Sequence, residues 1–316
     1  MSVAGVLASI PSPSSGTLEI GPLSIHAYGL MIALGVVAAV WLTGRRFEAA
    51  GGGTRDDASA MAVWAVIAGI LGARAYHVIT DWSSFEGHLE RIPQIWKGGL
   101  GIPGGLIAGI AVGWWVTKRR GLDPRVMANA AAPAIALAQS IARWGNWFNQ
   151  ELFGRATTLP WALEISDDKI PAGYAPGTTF HPTFLYESLW NLALCGVLLL
   201  IDRRRRPRPP RLMAMYVVGY GVGRFWVEGL RIDDADVFGP FRWNQWMALG
   251  AALLAAGYLV VTARRGPAAD EPLADEPVTD SSTDVPVDPS NGSGSDVDDD
   301  RGYVAADERL DELDPD

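Results

Sequence analysis

The chain has 316 residues, one cysteine, four histidines and a formal net charge of −9, with a mean hydropathy of +0.13. A single cysteine excludes a disulfide framework, a cysteine-rich zinc site and an iron–sulfur protein, and four scattered histidines argue against a multi-histidine metal centre. The acidic balance by itself would argue against anionic partners, so the position of the charge has to be read before that conclusion stands.

In chain order, residues 1–24 form an extracytoplasmic N-terminal segment. It lacks the basic start and sustained apolar core of a cleaved signal peptide. Residues 25–265 then alternate long apolar segments with short polar ones. Spans are expected at 25–44, 59–80, 99–117, 126–145, 183–201, 212–231 and 243–263. Each is close to the roughly 20 residues that a helix needs to cross the hydrocarbon core. The segment 149–180 is too polar to span. Its Gly154, Pro160, Pro171, Pro176 and Gly177 predict an irregular outer subdomain. Residues 266–316 hold 17 acidic and two basic residues, a charge of −15, so residues 1–265 carry +6. The tail is too poor in apolar residues to offset the entropy of ordering, and a solvated, disordered cytoplasmic tail is expected.

The basic residues of the body set its orientation. Flanks on one side of the seven spans hold fifteen, including Arg45, Arg46, Arg119, Arg120 and the run Arg203–Arg206; the opposite flanks hold six, Arg91, Lys97, Arg155, Lys169, Arg231 and Arg242. The richer side is expected in the cytoplasm, which puts the N-terminus outside and the C-terminus inside. Trp82, Trp96, Trp147, Trp243 and Trp246 fall near outer ends, as interfacial tryptophans do. The arginine run at 203–211 reads as a topology signal touching anionic lipid rather than a nucleic-acid patch. The expected fold is thus an all-α integral membrane protein of seven transmembrane helices.

Three arginines remain, Arg74, Arg143 and Arg224, all within expected spans. Charge at such depth is costly and usually faces a polar cavity or a partner. Tyr220, Arg224, Glu228 and Arg231 share one helical face. Arg143, Asn146 and Gln150, with Glu151 beside them, form a second stripe, and Arg74, His77 and Asp81 a third. Tyr186 and Glu187 lie a turn into the fifth span. Arg224 and Glu228 could simply pair and hold the bundle together. Guanidinium groups converging near the outer leaflet could instead hold a phosphate, which their planar fork matches. Such stripes would also serve an anionic-lipid transporter or flippase, or a lipid-binding scaffold. Cys195, amid Leu and Val, reads as packing.

The strings around these residues resemble a known family. Ala142-Arg143-Trp144-Gly145-Asn146-Trp147-Phe148-Asn149-Gln150-Glu151-Leu152-Phe153-Gly154 is similar to the signature of the prolipoprotein diacylglyceryl transferases, with Ala142 and Trp147 in place of the usual Gly and Phe. Tyr28-Gly29-Leu30, Gly104-Gly105-Leu106-Ile107, His181-Pro182-Thr183-Phe184-Leu185-Tyr186-Glu187 and Gly223-Arg224-Phe225-Trp226-Val227-Glu228-Gly229-Leu230-Arg231 follow the family order. The resemblance runs from about residue 18 to 265.

It implies transfer of the diacylglyceryl group of phosphatidylglycerol to the lipobox cysteine of a prolipoprotein in the bacterial plasma membrane, with the active site toward the extracytoplasmic face and without metal or cofactor. On that reading Arg143, Arg224, Glu151 and Asn146 are catalytic. The lipid is held by Arg143, Tyr28, Asn149, Gly104, Gly105, Gly154, Tyr220, Glu228 and Arg231. Glu151 and Glu228 orient the arginines, and Gly104 and Gly105 admit lipid or peptide close to the backbone. Where the family often has a histidine, before the Gly-Gly pair, this chain has Pro103, which takes no proton. His181, Glu151 and His26 are the candidate proton acceptors. The nucleophilic cysteine comes from the substrate.

Overall fold

A computed structural model describes residues 9–20 and 23–264. The chain divides after Gly266, and the unit Pro267–Asp316, with the expected acidic tail, lies outside the described residues. Seven helices of 18 residues or more are present among the described residues: α1 (Ala27–Ala49), α2 (Arg55–Thr80), α3 (Ile102–Arg119), α4 (Pro124–Ala142), α6 (Thr183–Arg205), α7 (Arg211–Glu228) and α8 (Trp243–Arg264). A short α5 (Trp144–Asn149) follows α4. Four of them, α1, α2, α6 and α8, are long and apolar enough to cross a membrane. Their outward faces carry Val37, Trp41, Val63, Leu71, Leu189 and Leu254, all well exposed. Helices apolar around most of their circumference do not rest in water, and the protein is membrane-integral in composition and form.

Helix ends follow local chemistry. Thr54 and Asp57 form a capping box that starts α2: the Thr54 hydroxyl accepts from the Asp57 amide at 3.1 Å, and the Asp57 carboxylate accepts from the Thr54 amide at 3.0 Å. Arg120 reaches the same carboxylate at 2.8 Å and ties the end of α3 to the start of α2. In α4, Pro133 has no N–H, which removes the helical partner of the Asn129 carbonyl. The guanidinium of Arg46 on α1 donates to that carbonyl at 3.3 Å and to the carbonyl of Ala130 at 3.0 Å, and it pairs with Asp202 on α6 at 3.1 Å.

Small residues set the closest approaches. A Cβ on Gly104 would strike the Gly72 carbonyl, and one on Gly105 would lie 3.0 Å from the Gly69 carbonyl, so α2 and α3 meet backbone to backbone. The α4 core is alanine-rich: Ala132 and Ala136 pack with Cys195, Leu198, Leu212 and Tyr216 from α6 and α7, which makes Cys195 a packing residue. Outside the bundle, β1 (Thr17–Ile20) pairs antiparallel with β2 (Leu23–His26) ahead of α1. The segment after α5 is mostly irregular. It folds around Phe153, Leu163, Ile165, Phe180 and Phe184, with β3 (Leu163–Glu164) paired to β4 (Thr179–Phe180). A last hairpin, β5 (Val237–Phe238) with β6 (Phe241–Arg242), joins α7 to α8.

Two helices differ from expectation. The segment 126–145 is not one continuous helix. It breaks at Arg143 and resumes as α5, which ends where Gln150 takes a left-handed φ of 54°. Helix α7 stops at Glu228, three residues before Arg231.

Candidate active site

The break at Arg143 is fixed by aromatic packing. Trp144 and Trp147 on α5 lie with ring centroids 5.5 and 6.1 Å from Phe184 on α6, and the Trp144 indole donates to the Ser188 hydroxyl at 3.1 Å. This anchors α5 on the first turns of α6 and sets Arg143 beside Glu187. On the other side of α6, Gly223 leaves room for the Trp190 indole, whose N–H donates to the Gly219 carbonyl at 2.9 Å. That close α6–α7 seam brings Glu187 to Arg224.

The outcome is a continuous ion-pair relay. Arg143 Nε pairs with Glu187 Oε2, and Glu187 Oε1 meets Arg224 Nη1 at 3.1 Å. Arg224 Nη2 meets Glu228 Oε2 at 2.7 Å, while Arg242 Nε lies 3.2 Å from Glu228 Oε1. Arg231 stands 3.7 Å from Glu228 and clasps Asp233 with two bonds of 2.7 Å. Burial raises the Asp233 carboxyl, but the Arg231 hydrogen bonds and the charges of Arg231 and Arg242 outweigh it and hold it below the usual carboxylate range. Carboxylates this deep would be prohibitive unpaired.

Exposure separates the signs. The side chains of Arg143 and Arg224 keep 21% and 16% of their surface, whereas Glu187 keeps 7% and Glu228 none. The accessible part of the relay is therefore guanidinium, and its carboxylates are the more enclosed partners. Tyr220 lines a narrow cleft with Glu187 and Arg224 and stacks on Tyr216 with ring centroids 5.8 Å apart. Tyr28, at the start of α1, lies against Gly145, where a Cβ would come within 2.6 Å of its ring. Among the described residues no cluster of His, Cys, Asp or Glu has the form of a metal site.

Glu151 stands apart from the arginines that it was expected to orient. It accepts from Asn146 Nδ2 at 2.8 Å and Asn149 Nδ2 at 3.2 Å, and Asn146 Oδ1 is 3.5 Å from Arg143 Nη1. It reaches the relay through an amide, because the short α5 puts Asn146 between carboxylate and cation. Glu228 does orient arginines, three of them.

Several expected members lie elsewhere. Arg74 does not join Arg143 and Arg224. Its guanidinium donates to the carbonyls of Arg91, Ile92, Gly98 and Gly99 at 2.7–2.9 Å and lies over the Phe85 ring, because the loop before α3 turns its carbonyls inward. Gln150 leaves the stripe of Arg143 and Asn146, since its left-handed backbone aims the amide at Pro13 and Ser166. Gly104 and Gly105 sit in the α2–α3 seam. Gly154 bridges Arg231 and His181, and its missing Cβ lets those backbones close. His181 faces the Tyr186 hydroxyl at 3.1 Å, and burial, then the charge of Arg155, lowers its pKa. Glu187, Arg242, Asp233 and Asn244, whose Nδ2 donates to Glu228 Oε1 at 3.2 Å, were not among the residues singled out as site members. Glu187 was detectable as a carboxylate one turn into an apolar helix, and Arg242 only as a flank charge.

A family model described as prolipoprotein diacylglyceryl transferase matches residues 15–261. The chain is 50% identical over 267 residues to the phosphatidylglycerol–prolipoprotein diacylglyceryl transferase of Frankia alni, covering 82% of this chain and 69% of that one. It is 49% identical over 268 residues to transferase 1 of Streptomyces coelicolor, covering 83% and 76%. With the Cutibacterium acnes protein of that name it shares 47% over 267 residues, 83% and 90% of the two chains.

Proposed function

Because the chain belongs to the prolipoprotein diacylglyceryl transferase family, we propose that it transfers the diacylglyceryl group of phosphatidylglycerol to the lipobox cysteine of a prolipoprotein. The thiol sulfur attacks the glyceryl carbon that bears the phosphate ester. A C–S bond forms, the C–O bond breaks, and the electron pair leaves on glycerol phosphate, while the thiol proton passes to an acceptor. Charge builds on the phosphate oxygens as the bond breaks, and fixed cations aimed there stabilise the transition state more than the ground state.

The observation that carries this reading is the relay in which Arg143 and Arg224 present their open faces while Glu187 and Glu228 lock them from behind. Asn146 and Asn149 each use one N–H on Glu151, and each amide has a second to offer the headgroup. Tyr28 and Tyr220 flank the headgroup position, and Arg231 and Glu228 hold the far end of the relay. Gly104, Gly105 and Gly154 shape the bundle and the outer subdomain. His181, whose Nδ1 lies 3.1 Å from the Tyr186 hydroxyl, is the candidate proton acceptor, a role that Pro103 cannot take.

In this reading the seven long helices each cross a bacterial plasma membrane, with the N-terminus outside, the basic flanks inside and the site at the extracytoplasmic leaflet. The uneven distribution of Arg and Lys and the exposed apolar helix faces support that orientation. The test is a transfer assay on membranes holding the full chain, given phosphatidylglycerol labelled in its diacylglyceryl part and a lipobox peptide. Label bound to the peptide cysteine is expected. An unlabelled peptide, where a Streptomyces coelicolor relative labels it, overturns the reading.

A further inference from the structure

Arg242 lies on β6, outside every expected span, yet its guanidinium is almost wholly enclosed. Besides Glu228 Oε1 it reaches the Arg231 carbonyl at 2.9 Å, the Asp233 carbonyl at 2.7 Å and Asp233 Oδ2 at 3.1 Å. It donates as well to the Glu228 carbonyl at 3.4 Å, and so ties the last residue of α7 to the turn that follows it. It also occupies the oxygen of Glu228 that faces away from Arg224.

The charge count gives this contact its weight. The ion-paired relay contains four guanidiniums, of Arg143, Arg224, Arg231 and Arg242, and three carboxylates, of Glu187, Glu228 and Asp233. Arg224 touches two carboxylates, one on each Nη. Without Arg242 the relay would be three against three, and the two carboxylates on Arg224 would offset the charge that an anion must feel. The geometry points to Arg242 as a positioning residue that supplies the single surplus positive charge of the relay. By drawing off Glu228 it leaves Arg224 available to the phosphate of the lipid. This rests on the transfer reading above, and Arg242 itself touches neither substrate nor reacting atoms.

The experiment uses the full chain in vesicles of phosphatidylcholine with increasing phosphatidylglycerol, and reads KM for that lipid and kcat separately. Arg242→Gln is expected to raise KM about tenfold or more, the scale of one unit charge across a partly screened site, with a smaller change in kcat. Arg242→Lys keeps the charge and should recover most of the loss. The double variant Arg242→Gln with Asp233→Asn restores the surplus of one by removing a carboxylate, and its KM should return toward that of the wild type. A strut without an electrostatic role would make the double variant worse than the single one. That result, or an unchanged KM in Arg242→Gln, overturns the inference. If Arg242→Gln fails to insert, the Lys variant decides the question: a tenfold rise in KM despite the retained charge is the overturning result. Absence of transfer by the wild type would instead sink the transfer reading.

Discussion

Arg74 and Arg224 are both shielded arginines near the ends of long helices, and their surroundings make them different devices. Arg74 spends its guanidinium on four neutral carbonyls of one loop, so its charge fastens backbone. Arg224 spends its two Nη groups on two carboxylates that are themselves shared with other arginines, so its charge belongs to a network with an open side. Under the proposed function, what distinguishes the structural cation from the ligand-binding one is the sign of its partners and which partner is more exposed. Depth in the span does not separate them.

The strongest way to break this comparison is to truncate the network cation. Arg143→Ala should lower transfer by about 10²–10³-fold, the scale of removing one preorganised donor from developing negative charge. The protein should still reach the membrane fraction. Full activity in the labelled-lipid assay would remove Arg143 from the site. Arg74→Ala should act the other way round. Losing several charge-assisted bonds to loop carbonyls costs on the order of 2–4 kcal/mol, read as a lower melting temperature in detergent. The molecules that remain folded should keep their KM for phosphatidylglycerol, and a large KM change would erase the distinction.

The smallest expected effect concerns His181. Burial, and then the charge of Arg155, holds its folded pKa below the ordinary histidine value. The unfolded chain therefore binds the proton more readily than the folded one. Stability is fully present above the ordinary value and declines as pH falls through it toward the folded pKa. His181→Gln should flatten that part of the melting-temperature profile. A wild-type profile that rises on acidification through the same window would contradict the assigned direction.

Much of the bundle was legible in the sequence because its helices are written in composition: long apolar runs closed by arginines. The break at Arg143 was not, since no proline marks it and Gly145, two residues on, lies inside α5. It follows from where Trp144 and Trp147 find Phe184, a contact between residues about 40 apart. Arg143, Arg224 and Glu228 were readable as charges that lipid should not tolerate. Arg74 looked identical on those terms, because a guanidinium bonded to carbonyls leaves no partner in the sequence pattern. Glu187 was visible as a lone carboxylate in an apolar helix, but its bridging role needed the α6–α7 seam that Gly223 permits. Gln150 fitted a helical stripe only so long as the helix was assumed to continue.

Pro133 has a consequence for experiments on orientation. Removing arginines from the basic flanks is the usual way to ask which side a loop faces, and it treats those residues as interchangeable counters. Arg46 is not one. It stands in for the amide that Pro133 lacks, so deleting it strands a carbonyl inside the bundle and confuses a change of orientation with a loss of packing. Its neighbour Arg45 lies exposed over the Trp41 ring, with its guanidinium carbon 5.1 Å from the centroid, and is the residue to remove when only the charge is to be counted.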